Sequence, residues 1–134
     1  MKVLEPITRG DFQALSETRL REAGILLANG EFEGAYYLAG YAVECALKAA
    51  ICRAQIQHQF PPKVETVRRL YNHNIKELVV EAKLAATLAA DRKADGQLDA
   101  FWKIAEEWTE KSRYDHPEQQ DATALLRAII DPSY

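Results

Sequence analysis

The chain has 134 residues, is 48% hydrophobic and 28% charged, and carries a net charge of −3. That length supports one domain with one core, residues 1–134, and the composition is that of a globular protein rather than a disordered or fibrous one. The mildly acidic balance gives no overall pull toward nucleic acid, and no apolar run approaches the roughly 20 residues that span a bilayer.

Five Pro and six Gly, set against abundant Ala, Leu, Glu, Lys and Arg, favour helices. The opening run MKVLEPITRGDF lacks the continuous apolar core of a signal peptide, so a cytoplasmic location is expected. Cys45 and Cys52 fall seven apart on one predicted helix, a rise of about 10.5 Å. That is too far for a disulfide, and both read as small buried hydrophobes. No Cys or His cluster stands at metal-ligand spacing, and neither a metal nor a cofactor is expected. The one locally basic stretch runs from Arg53 to Lys76 and includes Lys63, Arg68 and Arg69.

Apolar residues at helical spacing predict a first helix over 11–28, with Arg19 inside its stripe and Gly30 as its stop. A second helix is expected over 32–57, ended by Pro61-Pro62. Its alanines 35, 39, 42, 46 and 49 form a seam that lets a neighbour approach closely. Residues 63–72 read as a short helix or an ordered loop. Asn74 caps a third helix, with Glu77 as its capping-box partner and Ile75, Leu78, Val79, Ala82, Ala85, Ala86 and Ala89 as its apolar face. A break at 94–96 precedes a fourth helix over 97–111, which carries Trp102 and Trp108. Asp115 and Glu118 frame a further capping box, with Pro117 in the first turn of a fifth helix. The expected architecture is an all-α antiparallel bundle of four to five helices in up-and-down order.

The second helix is apolar nearly all round, the pattern of a helix in the middle of a bundle. It nevertheless carries Glu44 and Lys48 one turn apart. A buried charge is costly unless paired, which marks a polar centre in this domain.

Three runs carry a resemblance: GEFEGAYYLAGYAVECALKAAI in the second helix, His73-Asn74-Ile75-Lys76-Glu77-Leu78 opening the third, and Trp108 followed by Arg113-Tyr114. In this order the chain resembles the HEPN domain family (higher eukaryotes and prokaryotes nucleotide-binding). The resemblance implies a helical bundle that commonly dimerises. It also implies either a ribonuclease or toxin, or the partner of a minimal nucleotidyltransferase in a two-gene, toxin–antitoxin-type module. Ribonucleases of this family place an Arg, four to six residues, then a His at the start of a late helix. There the His serves as acid or base, and the Arg stabilises phosphorane charge.

This chain departs from that pattern, because only two residues separate Arg113 from His116. Arg68 and His73 have the required gap but precede the third helix, where the match reads as coincidence. Glu44 with Arg113 reads as a structural ion pair, with Tyr41 or Tyr114 close by; the competing reading makes Glu44, Lys48, Arg113, Tyr114 and Tyr41 a nucleotide or phosphate site. Tyr37, Tyr41, Trp102 and Trp108 read as core or dimer interface, and His73 as a helix-opening residue. The expected function is a homodimeric binding or partner module for a nucleotidyltransferase, RNA or nucleotide. The alternatives are a metal-independent ribonuclease using Arg113 and His116, and a purely structural oligomerisation domain.

Overall fold

The computed structural model describes residues 8–58, 72–114 and 116–130, except for the side chains of 54–58 and 113. Among these residues every regular element is helical. In chain order they are α1 (Arg9–Ala28), α2 (Phe32–His58), α3 (Ile75–Glu81), α4 (Ala85–Ala94), α5 (Gly96–Glu107), a 3-10 helix (Glu110–Tyr114) and α6 (Gln119–Ile130). The protein is an all-α bundle of up-and-down type, as the hydrophobic pattern predicts. None of the described helices is long and apolar enough to cross a membrane.

Local chemistry sets the first hairpin. Thr8 and Asp11 form a reciprocal capping box at the start of α1. At its end Gly30 adopts φ +79°, which lets the Glu31 N–H donate to the Leu26 carbonyl at 2.9 Å and the Gly30 N–H to the Leu27 carbonyl at 3.2 Å. These paired bonds turn the chain sharply into α2. The Ser16 hydroxyl then donates to the Ala42 carbonyl at 2.7 Å, a contact that needs the close helix approach given by the alanine seam.

α2 is the central element and packs against α1, α3, the 3-10 helix and α6. Ala35, Ala39, Ala42, Cys45, Leu47, Ala49 and Ile51 are buried along it. Of these, Ala35, Ala39, Leu47 and Ile51 meet Ala23 of α1, Ile75, Leu78 and Val79 of α3, and Ala122, Leu125 and Leu126 of α6 in one core. Trp108, fully buried just beyond α5, lies directly over Gly40. A Cβ at position 40 would overlap the indole, so only glycine fits under that ring.

Four expectations need correction. The third helix is two helices, because the chain turns at Ala82–Leu84, where Lys83 takes φ 62° and closes the same paired bonds as the Gly30 turn (Leu84 N–H to Val79, Lys83 N–H to Val80). Ala85, Ala86 and Ala89 are accordingly exposed; α4 buries no residue and is anchored through Leu88 and Arg92. The fourth helix ends at Glu107 rather than 111, since Trp108 leaves the helix in an extended conformation to reach Gly40. The fifth begins at Gln119, with Pro117 before it and the Glu118 N–H bonded to Asp121 Oδ2 at 2.9 Å. The box at Asn74 is half formed. Its side chain caps the Glu77 N–H at 3.0 Å, but its own N–H donates to Asn72 Oδ1, and the Glu77 carboxylate bonds the Asn72 amide instead. Asp115, Lys63, Arg68, Arg69 and the 63–72 segment's expected structure, apart from Asn72, lie outside the described residues.

Candidate functional site

The polar centre predicted on α2 is present. Tyr37, Gly40, Tyr41, Glu44 and Lys48 recur at helical spacing along one stripe. The 3-10 helix and the residue opening α3 lie against this helix. Glu44 is 0% exposed and Lys48 7%, and Lys48 Nζ donates to Glu44 Oε2 at 3.2 Å. The order, with the acid one turn before the base, is the favourable one for a helix.

The second carboxylate oxygen, Glu44 Oε1, lies 2.8 Å from His73 Nδ1. On the far side of the ring, His73 Nε2 lies 3.3 Å from Glu110 Oε2. The chain Lys48–Glu44–His73–Glu110 therefore joins the middle of α2 to the start of α3 and to the 3-10 helix. Both ring nitrogens face a carboxylate. The pairing of His73 with Glu44 escapes sequence reasoning because the two are distant in the chain. The available signal was a His beside the Asn74 cap of a segment whose apolar residues must dock on α2.

Tyr41 is half-buried and stacks on Tyr37, with ring centroids 6.2 Å apart and planes 14° from parallel. Burial raises its phenol above the usual value, with further contributions from Cys45 and Glu44. Cys45 is free and buried, and its thiol is pushed up to about 11, first by burial and then by the charge of Glu44. Trp108 Nε1 and Ser112 Oγ are buried without a hydrogen-bond partner among the described residues. Among the described residues no group of three or more His, Cys, Asp or Glu side chains could hold a metal.

The residues singled out in the sequence divide into two places. Glu44, Lys48 and Tyr41 share the polar centre, whereas His116 lies elsewhere, its Nδ1 2.8 Å from Glu33 Oε1 near the start of α2. Glu33 precedes Glu44 by three helical turns, about 16 Å along the axis. The structure thus does not bring His116 to Glu44. Tyr114 ends the 3-10 helix with 72% of its surface exposed. The expected bond between Glu44 and Arg113 falls on a side chain outside the description; the described partners of Glu44 are Lys48 and His73.

A family model for the HEPN domain matches residues 14–130, most of the chain. The bundle, its central helix and the three sequence runs agree with that match, and the protein belongs to the HEPN domain family. No match was found among curated proteins or among solved structures.

Proposed function

We propose that this HEPN protein works by binding: a homodimeric module that docks on a second protein, with a nucleotidyltransferase of a toxin–antitoxin-type pair as the expected partner. The observation that supports this reading most is the use made of Glu44. Both of its oxygens are occupied, one by Lys48 of the same helix and the other by His73, which links α2 to α3 and, through Glu110, to the 3-10 helix, so the polar centre serves to fix a surface. Around it the central helix keeps Tyr36, Tyr37, Leu38, Tyr41 and Val43 only half covered, and Tyr114 stands exposed on the neighbouring 3-10 helix. Half-covered aromatic residues on a rigid support are the composition of protein interfaces. In this reading Tyr41 and Tyr114 belong to the docking surface, and Glu44 and Lys48 hold it in shape. The test is light scattering on the purified chain, which should give twice the 15.1 kDa chain mass, with Tyr114→Ala and Tyr37→Ala weakening association. A monomer at micromolar concentration that both substitutions leave unchanged would overturn the reading.

One geometric feature favours a second reading, ribonuclease activity through His73 rather than His116. A buried carboxylate that fixes one ring nitrogen is how an acid–base histidine is oriented, and the other nitrogen becomes available to a substrate when the partly exposed Glu110 carboxylate turns aside. Cleavage of a mixed RNA that survives His116→Ala and disappears in His73→Gln would favour it. The binding module should show no cleavage.

A further inference from the structure

At the open end of the α1–α2 hairpin, away from the polar centre, a groove of about 290 Å³ runs between the first turns of α1 and the second half of α2. Its floor is Ala46 and Ala49, and its sides include Arg9, Gln13, Ser16 and Arg53. The Ser16–Ala42 hydrogen bond sets the register of the two antiparallel helices. Counting outward from it puts Arg9 level with Ala49, about one turn from Arg53. Two arginines from different helices thus line one end of one groove. Neither makes an ion pair among the described residues. Like charges brought together at one end of a groove whose only described carboxylate, Glu17, stands two turns away along α1 mark a place where an anion would be stabilised.

We infer that this groove is a phosphate-binding site in which Arg9 and Arg53 grip the phosphate group of a small ligand. A carboxylate has two oxygens and is satisfied by a single guanidinium fork, whereas a tetrahedral phosphate offers oxygens to two forks at once. Small floor residues let the anion sink between the helices. Glu17 also lines the groove, two turns along α1 from Arg9, about 12 Å. Its negative charge rejects a second phosphate there, so the site takes one phosphate rather than a polyphosphate chain. Gln13 and Glu17 can instead hydrogen-bond the hydroxyls of a sugar attached to it. The groove volume lies at the small end of ligand pockets, which suits a phosphorylated sugar.

The experiment is a titration of the full chain with inorganic phosphate and, separately, with ribose 5-phosphate, followed through the amide resonances of Ala46, Ala49 and Ala50. Saturable shifts are expected, at least tenfold weaker in Arg9→Gln and in Arg53→Gln, and unchanged in Arg21→Gln, an exposed arginine of α1 outside the groove. Ala46→Leu, which fills the groove from an exposed position, should abolish them. Tighter binding of ribose 5-phosphate identifies a sugar phosphate, and equal binding identifies free phosphate. Absence of saturable shifts with both probes, or wild-type affinity in the two groove variants, overturns the site.

Discussion

Glu44 and His73 are 29 residues apart in the chain, and their side chains meet at 2.8 Å. That contact, with Lys48 on the other carboxylate oxygen, replaces solvation of a charge placed at the middle of an apolar helix. Removing Glu44 leaves the Lys48 ammonium buried and unpaired. Glu44→Ala should therefore destabilise by about 3–5 kcal/mol. In a double-mutant cycle with His73→Ala the two losses should fall short of additivity by about 0.5–3 kcal/mol. Urea unfolding of the four proteins measures both quantities, and strict additivity would remove the network from the account.

Gly40 and Trp108 test the packing beneath that network. The indole occupies the space a Cβ at position 40 would need. Gly40→Ala improves intrinsic helix propensity, so an exposed site would gain stability. Here overpacking should win and cost about 1–3 kcal/mol. Trp108 is the buried tryptophan and Trp102 the half-buried one, so the fluorescence spectrum should also change. An unchanged melting temperature and spectrum would mean the ring does not rest on Gly40.

How far the sequence reveals this arrangement depends on the range of the interaction. The Gly30 stop, the Asn74 cap and the centrality of α2 are written in local residue types and periodicity, and they are found in the structure. The turn at Lys83 is not, because it uses a lysine at positive φ where a glycine would announce it. Alanine periodicity also misleads at α4: alanine favours helix whether buried or bare, and there it is bare. The charge at Glu44 announces a partner, but not which one, since pairing across α2 and α3 depends on tertiary docking. An Arg near the end of the fourth helix is the obvious candidate in sequence, and its side chain lies outside the described residues; the histidine found on Glu44 precedes α3.

The Lys83 turn yields a prediction of the opposite sign to most substitutions. A non-glycine residue at positive φ carries a backbone cost of about 1 kcal/mol. Lys83 is exposed and makes no side-chain bond among the described residues that glycine would forfeit. Lys83→Gly should stabilise slightly, by up to about 1 kcal/mol, while Gly30→Ala destabilises by a similar amount. Chemical denaturation resolves both. A loss of stability in Lys83→Gly would show that the turn is held by its side chain.

Cys45 predicts an alkaline limit. Its thiol titrates near 9.0 when unfolded and near 11 in the fold. Between these values the unfolded chain has released a proton that the native protein keeps, so the unfolded state gains. Stability is intact below pH 9 and should fall through that window by at most about 1.4 kcal/mol per pH unit. Tyr41, raised in the same direction, adds to the decline above pH 10.0. Cys45→Ala leaves a small cavity and lowers stability at every pH, so the informative quantity is the slope. The variant should be flatter than the wild type between pH 9 and 10, and equal slopes would assign the decline to other groups.

Arg92 decides whether α4 stays docked. The helix buries no residue, and Arg92 ties it to α5 through two bonds of 2.6 Å, Nε to Asp99 Oδ1 and Nη1 to Glu106 Oε1. A guanidinium reaches both carboxylates at once, whereas the single ammonium of lysine cannot reproduce that fork. Arg92→Ala and Arg92→Lys should both accelerate amide exchange across Ala85–Ala94, with alanine the stronger. Exchange in α2 should be unaffected, because α4 can open without the core. The Arg92–Asp99 bond holds the Asp99 carboxyl below the usual carboxylate range, with Lys103 contributing after Arg92. The attachment is complete above the ordinary aspartate value and weakens as pH falls through the lowered one. Exchange in α4 should consequently rise on acidification in the wild type before α2 responds, and the early rise should be absent in Arg92→Ala, whose α4 is already loose. Protection of α4 that matches α2 in every protein would show that the helix is held by something other than this pair of bonds.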